Sequence, residues 1–206
     1  LDMDRRCEIL PFIERLRDAT GIPVLYVSHA TEEIIRLSDT VVMIADGKTV
    51  AAGPVEDVMS RLDLRPLTGR YEAGAVLNVR VGDEVSADNL SHLNFAGGSL
   101  LVPHVDAPAG QDLRVRIRAR DVSIALTPPE GISILNVFPG RVVEMAETGT
   151  AQMDVLIDIA PAGHPETVPL WSRITRRSAR ELKLETGLIV HALIKAVAID
   201  RHSLGQ

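Results

Sequence analysis

The chain has 206 residues, enough for one large domain or two small ones, and 46% of them are hydrophobic while only 3% are aromatic. So few aromatic faces argue against a base-stacking platform, and a net charge of −6 with no basic block argues against non-specific DNA binding, so no nucleic-acid partner is expected. A single cysteine, Cys7, excludes an intrachain disulfide, and no apolar run is long enough to span a bilayer.

Residues 4–18 place Cys7, Leu10, Ile13 and Leu16 at helical spacing, with charged residues on the other faces. Pro11 falls mid-helix and Gly21 closes the segment. Residues 24–27 form a short apolar run, read as a strand buried on both faces, ending in Ser28-His29. Thr31, followed by Glu32 and Glu33, opens a second helix with Ile34, Ile35 and Leu37 on its apolar side. A second buried strand is predicted at residues 41–44. Asp46-Gly47 is a two-residue hairpin signal leading into residues 49–52, and Gly53-Pro54 starts a helix with Val55, Val58, Met59 and Leu62 inward. This alternation predicts the tail of an α/β domain over residues 1–64.

Residues 65–75, rich in Pro, Gly and charge, read as a linker. From residue 76 to 204 the pattern is one of short strands between Gly, Pro and Asp/Asn turns, clearest at 76–81, 113–118, 122–126, 141–143 and 153–159, as in a small β-barrel. One helix interrupts it near 178–184, with Ser178 as N-cap and Glu181 completing a capping box. Residues 115–124 are similar to residues 190–199, an offset of 75 that sets Val115 on Val190 and Arg120 on Lys195, and suggests two related half-barrels.

The first 62 residues resemble ABC ATPases in order and spacing. Leu1 to Arg6 are similar to the D-loop and the start of its helix, Gly21 to His29 to the strand before the switch histidine, and Ala30 to Glu33 continue it. Residues 39–44, Gly47-Lys48 and Gly53-Pro54 follow as such domains end. The resemblance implies that His29 meets the γ-phosphate of ATP, with Mg, and that Asp2 couples the two sites of a homodimer. An imidazole N–H there stabilises charge on a transferred phosphoryl group. No phosphate-binding loop is present: Gly47-Lys48-Thr49 has Val42 where a P-loop needs glycine. The signature and Walker B carboxylates are absent too. The chain by itself is therefore expected to be inactive towards ATP. Opening on Leu1 rather than Met, it reads as a fragment or processed product.

The β region resembles the TOBE domain of importer ATPases at Arg118 to Ile124. Over residues 131–200 it resembles the molybdate-binding Mop domain, at Ser133 to Val142, Trp171 to Leu182, Gly187 and Ile194-Lys195-Ala196. Together the two parts resemble the ATP-binding subunits of molybdate importers. The predicted fold is thus an α/β ABC ATPase tail followed by an all-β, OB-like TOBE/Mop barrel. A tetrahedral dianion needs hydroxyl and N–H donors and a cation. Ser133, Thr175 and Ser178 offer hydroxyls, the helix starting at Ser178 offers N–H groups, and Lys195 offers a point charge. The resemblance carries over Ser133, Asn136, Ser178 and Lys195 as contacts to molybdate or tungstate. It departs at Leu135, where the family often has arginine, and at Ala196, where it often has a hydroxyl. Arg173, Arg176, Arg177 and Arg180 cluster beside these residues, either as a solvated helix face or as an attractor for an oxyanion.

The six histidines show no ligand spacing, so no metal site is expected. The implied role is the regulatory part of a molybdate importer's ATPase subunit, held on the inner, cytoplasmic face of the membrane by a transmembrane permease. A different cargo (sulfate, a sugar, iron or a polyamine) and a free-standing oxyanion module remain the alternatives.

Overall fold

A computed structural model describes residues 3–61, 64, 74–85, 87–165 and 167–199. Asp2 and Leu62 lie outside them, as do residues 65–73 of the expected linker; Gly74 and Ala75 already belong to a strand.

The first part holds α1 (Met3–Thr20), α2 (Thr31–Leu37), the hairpin β1 (Thr40–Ala45) and β2 (Lys48–Pro54), and α3 (Val55–Ser60). Pro11 stays inside α1, and Gly21, at φ +62, donates its N–H to the Arg17 carbonyl and ends the helix. Asp46 and Gly47 both take positive φ, as the two-residue turn requires. α2 is tied to α1 by the forked pair of Arg36 with Glu14, at 2.6 and 2.8 Å.

Two expectations for this part fail. Residues 24–27 form no strand: the run is irregular, with Leu25 93% and Val27 88% exposed. A strand needs a neighbouring ladder for its N–H and C=O groups, and no described strand pairs with this run. β1 is buried on one face only, with Val41 inside against Ile35, Val55 and Val58 and with Val42 and Ile44 exposed.

The remainder is a duplicated β architecture. β3 (Gly74–Val85), β4 (Leu90–Phe95), β5 (Gly98–Pro103) and β6 (Asp112–Arg118) form an antiparallel sheet in the order β5-β4-β3-β6. After β7 (Val122–Ala125), the strands β8 (Asn136–Thr148), β9 (Gln152–Asp158), β10 (Pro169–Thr175) and β11 (Ile189–Ile194) repeat that order as β10-β9-β8-β11, and β7 crosses over to pair with β11. β8 is far longer than the predicted 141–143. Gly140 lies within it, where a Cβ would come within 2.8 Å of the Asp158 carbonyl.

The two sheets share one core, with Leu77, Leu93, Leu100 and Ile117 from one half packed against Val142, Ile157, Leu170 and Ile194 from the other. The start of β3 is buried on both faces. Ala75, Leu77 and Val79 enter the barrel, while Val76 points the other way into a second core with Ile35, Val41, Val55 and Val58.

The repeat is real in topology, but its register differs from the expected one. Each half ends its fourth strand in a single 3₁₀ turn, Ala119–Asp121 and Ala196–Ala198. The residues before the turns have matching backbones, Arg118 at φ −74, ψ 134 and Lys195 at φ −68, ψ 132. Arg118 therefore corresponds to Lys195, an offset of 77 rather than 75. Strand periodicity alone tolerates a two-residue slip, because it keeps every side chain on its face. The 3₁₀ turns remove that freedom.

Candidate functional site

The sequence-derived oxyanion residues divide into two groups. Asn136 opens β8 and pairs in register with Ile194, so Ser133, Asn136 and Lys195 lie at one end of the β8/β11 ladder. Thr148 closes β8 and pairs with Gln152, whose other partner is Thr175, so Thr175 and Ser178 lie at the opposite end. The strand between them would span up to roughly 40 Å if unbent. Ser133 and Lys195 are exposed, as is Leu135 beside them.

Asn136 does different work. It is buried, its Oδ1 accepts from the Leu101 N–H at 2.7 Å, and its Nδ2 donates to the Leu101 carbonyl at 2.9 Å. The amide of the carried-over residue is thus spent on the backbone of the other half-barrel.

At the far end, α4 (Arg176–Glu181) follows β10 directly. Its N-cap is Thr175, one turn earlier than expected: Thr175 Oγ1 accepts from the Ser178 N–H at 3.0 Å and lies 2.8 Å from Ser178 Oγ. Ser178 is therefore inside the first turn, and Glu181 pairs with Arg177 at 2.7 Å instead of closing a capping box. Thr175 wins because it sits at the strand end with extended backbone, which a cap requires. Beside α4 runs a groove of about 600 Å³ with Met145, Met153 and Leu184 on its apolar side and Arg176, Arg180 and Lys183 among its cations. Arg176 also pairs with Glu147 at 2.7 Å.

Arg173, grouped in sequence with that cluster, belongs elsewhere. It forks onto the fully buried Asp154 at 2.7 and 2.9 Å, and Thr148 donates to the same carboxylate at 2.8 Å. Burial pushes the Arg173 guanidinium below its ordinary pKa. This buried pair welds β10 to β9 beneath the start of α4.

His29 is exposed on the irregular segment before α2. The segment is held by Glu33, a buried carboxylate whose Oε2 accepts from Tyr26 Oη at 2.9 Å and also from Ser28 Oγ. Sequence reasoning treated Glu33 only as a helix-starting charge. Its spacing of five residues from Ser28 was the available signal. Among the described residues no group of three or more His, Cys, Asp or Glu is close enough to hold a metal ion, and no helix is long and apolar enough to cross a membrane.

Residues 132–200 match the TOBE domain family. Over 201 residues the chain is 44% identical to a protein of Paramagnetospirillum magneticum named molybdenum import ATP-binding protein ModC, covering 98% of this chain and 54% of that protein. It is 45% identical over 205 residues to a protein of the same name from Mesorhizobium japonicum, covering 100% of this chain and 54% of that one. A third, from Rhodospirillum rubrum, is 40% identical over 204 residues, covering 99% and 55%. The chain thus spans about half the length of the curated relatives it matches. Among solved structures it is similar in fold to the cytoplasmic molybdate-binding protein ModG with molybdate bound, at a TM-score of 0.52 and 20% identity, covering 61% of this chain and 92% of that one.

Proposed function

On the premise of homology to ModC proteins over nearly its whole length, consistent with the C-terminal part of such a protein, we propose that this chain is the regulatory part of the ATP-hydrolysing subunit of a molybdate importer. The observation that carries the reading is that alignments at 40–45% overall identity cover 99–100% of the chain, and so take in both the helical part and the β region. In the complete subunit, ATP and Mg bind largely through residues that this sequence does not contain, with His29 and Asp2 as its own contributions. The exposed run ending at His29 becomes a buried strand when that remainder supplies its sheet neighbours. The subunit works as a homodimer against a transmembrane permease, on the cytoplasmic side of the membrane.

The β region is the sensor, taking molybdate or tungstate. Ser133 and Lys195 supply a hydroxyl and a charge from one copy, and Thr175 with Ser178 supply hydroxyls from a second copy, since one chain holds the two groups at opposite ends of β8. Asn136 serves this site through its hold on Leu101. Leu135 and Ala196 replace donors and make the site depend more heavily on Lys195.

Calorimetric titration of the 206-residue chain with molybdate, with sulfate as control, tests the sensor. Heat with molybdate that vanishes in Lys195→Ala is expected. No heat at millimolar molybdate would sink the sensor role. Equal heat with sulfate would move the reading to a sulfate importer, the cargo alternative that the same donors also suit. Without a phosphate-cradling loop, the isolated chain should show no ATP turnover above a His29→Ala control.

A further inference from the structure

Three arginines alternate along β6, at 114, 116 and 118, and so share one face of that strand. All three reach the short helix α2 that follows His29. Arg116 Nη1 and Arg118 Nη2 each lie 3.5 Å from Glu32 Oε1 in its first turn. Arg114 Nη1 donates to the Ser38 carbonyl at 2.7 Å just past its end, and Nη2 meets Asp39 at 3.0 Å. A seven-residue helix is thereby gripped at both ends by one strand of the β region. Arg116 is only 6% exposed but its partner Glu32 is half exposed, so salt still reaches the contact.

The next residue, Glu33, holds Tyr26 and Ser28. Two adjacent carboxylates of one helical turn thus join the β region to the His29 segment: Glu32 meets Arg116 and Arg118, and Glu33 holds Tyr26 and Ser28. The duplication adds a second, independent observation. Arg118 occupies the position that the other half-barrel fills with the exposed Lys195, which has no salt-bridge partner among the described residues. One half presents its cation to solvent; the other commits the equivalent cation to α2.

We propose that Arg116, Arg118, Glu32 and Glu33 form a strut through which the first half-barrel sets the order of the His29 segment. Releasing Glu32 from β6 loosens the first turn of α2, and with it the carboxylate that positions Ser28 and Tyr26. The consequence for nucleotide rests on the role of His29 proposed above; the strut itself does not.

Amide hydrogen exchange on the 206-residue chain, without nucleotide or molybdate, tests it. Glu32→Gln and Arg118→Gln should each speed exchange in residues 26–37 by about fivefold. The double variant should do no more than Glu32→Gln alone, because that change already removes the carboxylate that Arg118 reaches. Arg177→Gln, which breaks an exposed pair on α4, should leave residues 26–37 unchanged. Amides of β8 to β11 report global folding. Should a variant loosen those as well, the wild-type chain in about 1 M salt replaces it, and residues 26–37 should then exchange faster selectively. Unchanged exchange in 26–37, or effects of the two single variants that simply add, overturns the strut. A silent molybdate titration would leave it standing, and its own failure would leave the sensor reading untouched.

Discussion

The carboxamide of Asn136 stands in for a missing strand beside Leu101. β5 is the edge of its four-stranded sheet, and the first residue of β8 supplies it with one acceptor and one donor, at 2.7 and 2.9 Å. The other half has a counterpart: Ser172 on the edge strand β10 donates its hydroxyl to the Val122 carbonyl at 2.7 Å. Asn136 thus pairs edge backbone of β5 across the two sheets, while Ser172 ties together the two edge strands of its own sheet, β10 and β7.

Asn136→Ala should destabilise the chain by about 2–4 kcal/mol, because it orphans both polar groups of Leu101 in a buried setting. Urea unfolding measures this. A residue whose only task is to touch an oxyanion would leave the midpoint where it is, so an unshifted transition would refute the clamp.

Asp154→Asn should cost about 3–5 kcal/mol by stranding the buried guanidinium of Arg173. Replacing both partners at once, as Asp154→Leu with Arg173→Met, should recover much of that loss. Thermal unfolding of Asp154→Leu, Arg173→Met and the double variant gives the coupling directly.

Thr175→Val removes the cap of α4 and should cost about 1 kcal/mol. Ser178→Ala leaves the Ser178 N–H bonded to Thr175 and should cost less. The reverse ranking in denaturant unfolding would restore Ser178 as the cap.

Arg80 forks onto Asp112 at 2.8 and 3.0 Å. The hydrogen bond from Arg80 holds the Asp112 carboxyl below the usual carboxylate range, outweighing the opposing effect of burial, with a smaller contribution from the Arg80 charge. A depressed folded pKa gives stability that is complete above the unfolded value and lost as pH falls through the folded one. Both side chains are exposed, so the effect on stability is small. NMR titration should find the Asp112 midpoint low in the wild type and higher in Arg80→Gln.

Much of the fold was legible in the residues because its signals are local. α1, the Asp46-Gly47 turn and α2 appeared where capping and turn chemistry placed them. β4, β5 and β10 were not picked out, since short half-buried strands with Ser, His, Asn and Gly carry a weak period. The apolar run at 24–27 reads as a strand for the opposite reason and is irregular in this chain. Hydrophobicity says that a segment can be buried, but only a neighbouring ladder makes it a strand.

For the candidate site, residue types and their order along the chain pointed to Ser133, Thr175, Ser178 and Lys195, and those choices rest on sequence still. Sequence could not say that two of them lie at each end of β8, that Asn136 is spent on Leu101, or that Arg118 rather than Arg120 matches Lys195. Each of these depends on register and on which strands meet. Pairing between residues distant in the chain is set by packing of the two half-barrels, and no local propensity encodes it. By itself the sequence determined the helices, the turns, the duplicated β character and the family likeness. The tertiary structure alone decided which polar groups are consumed as braces and which remain exposed.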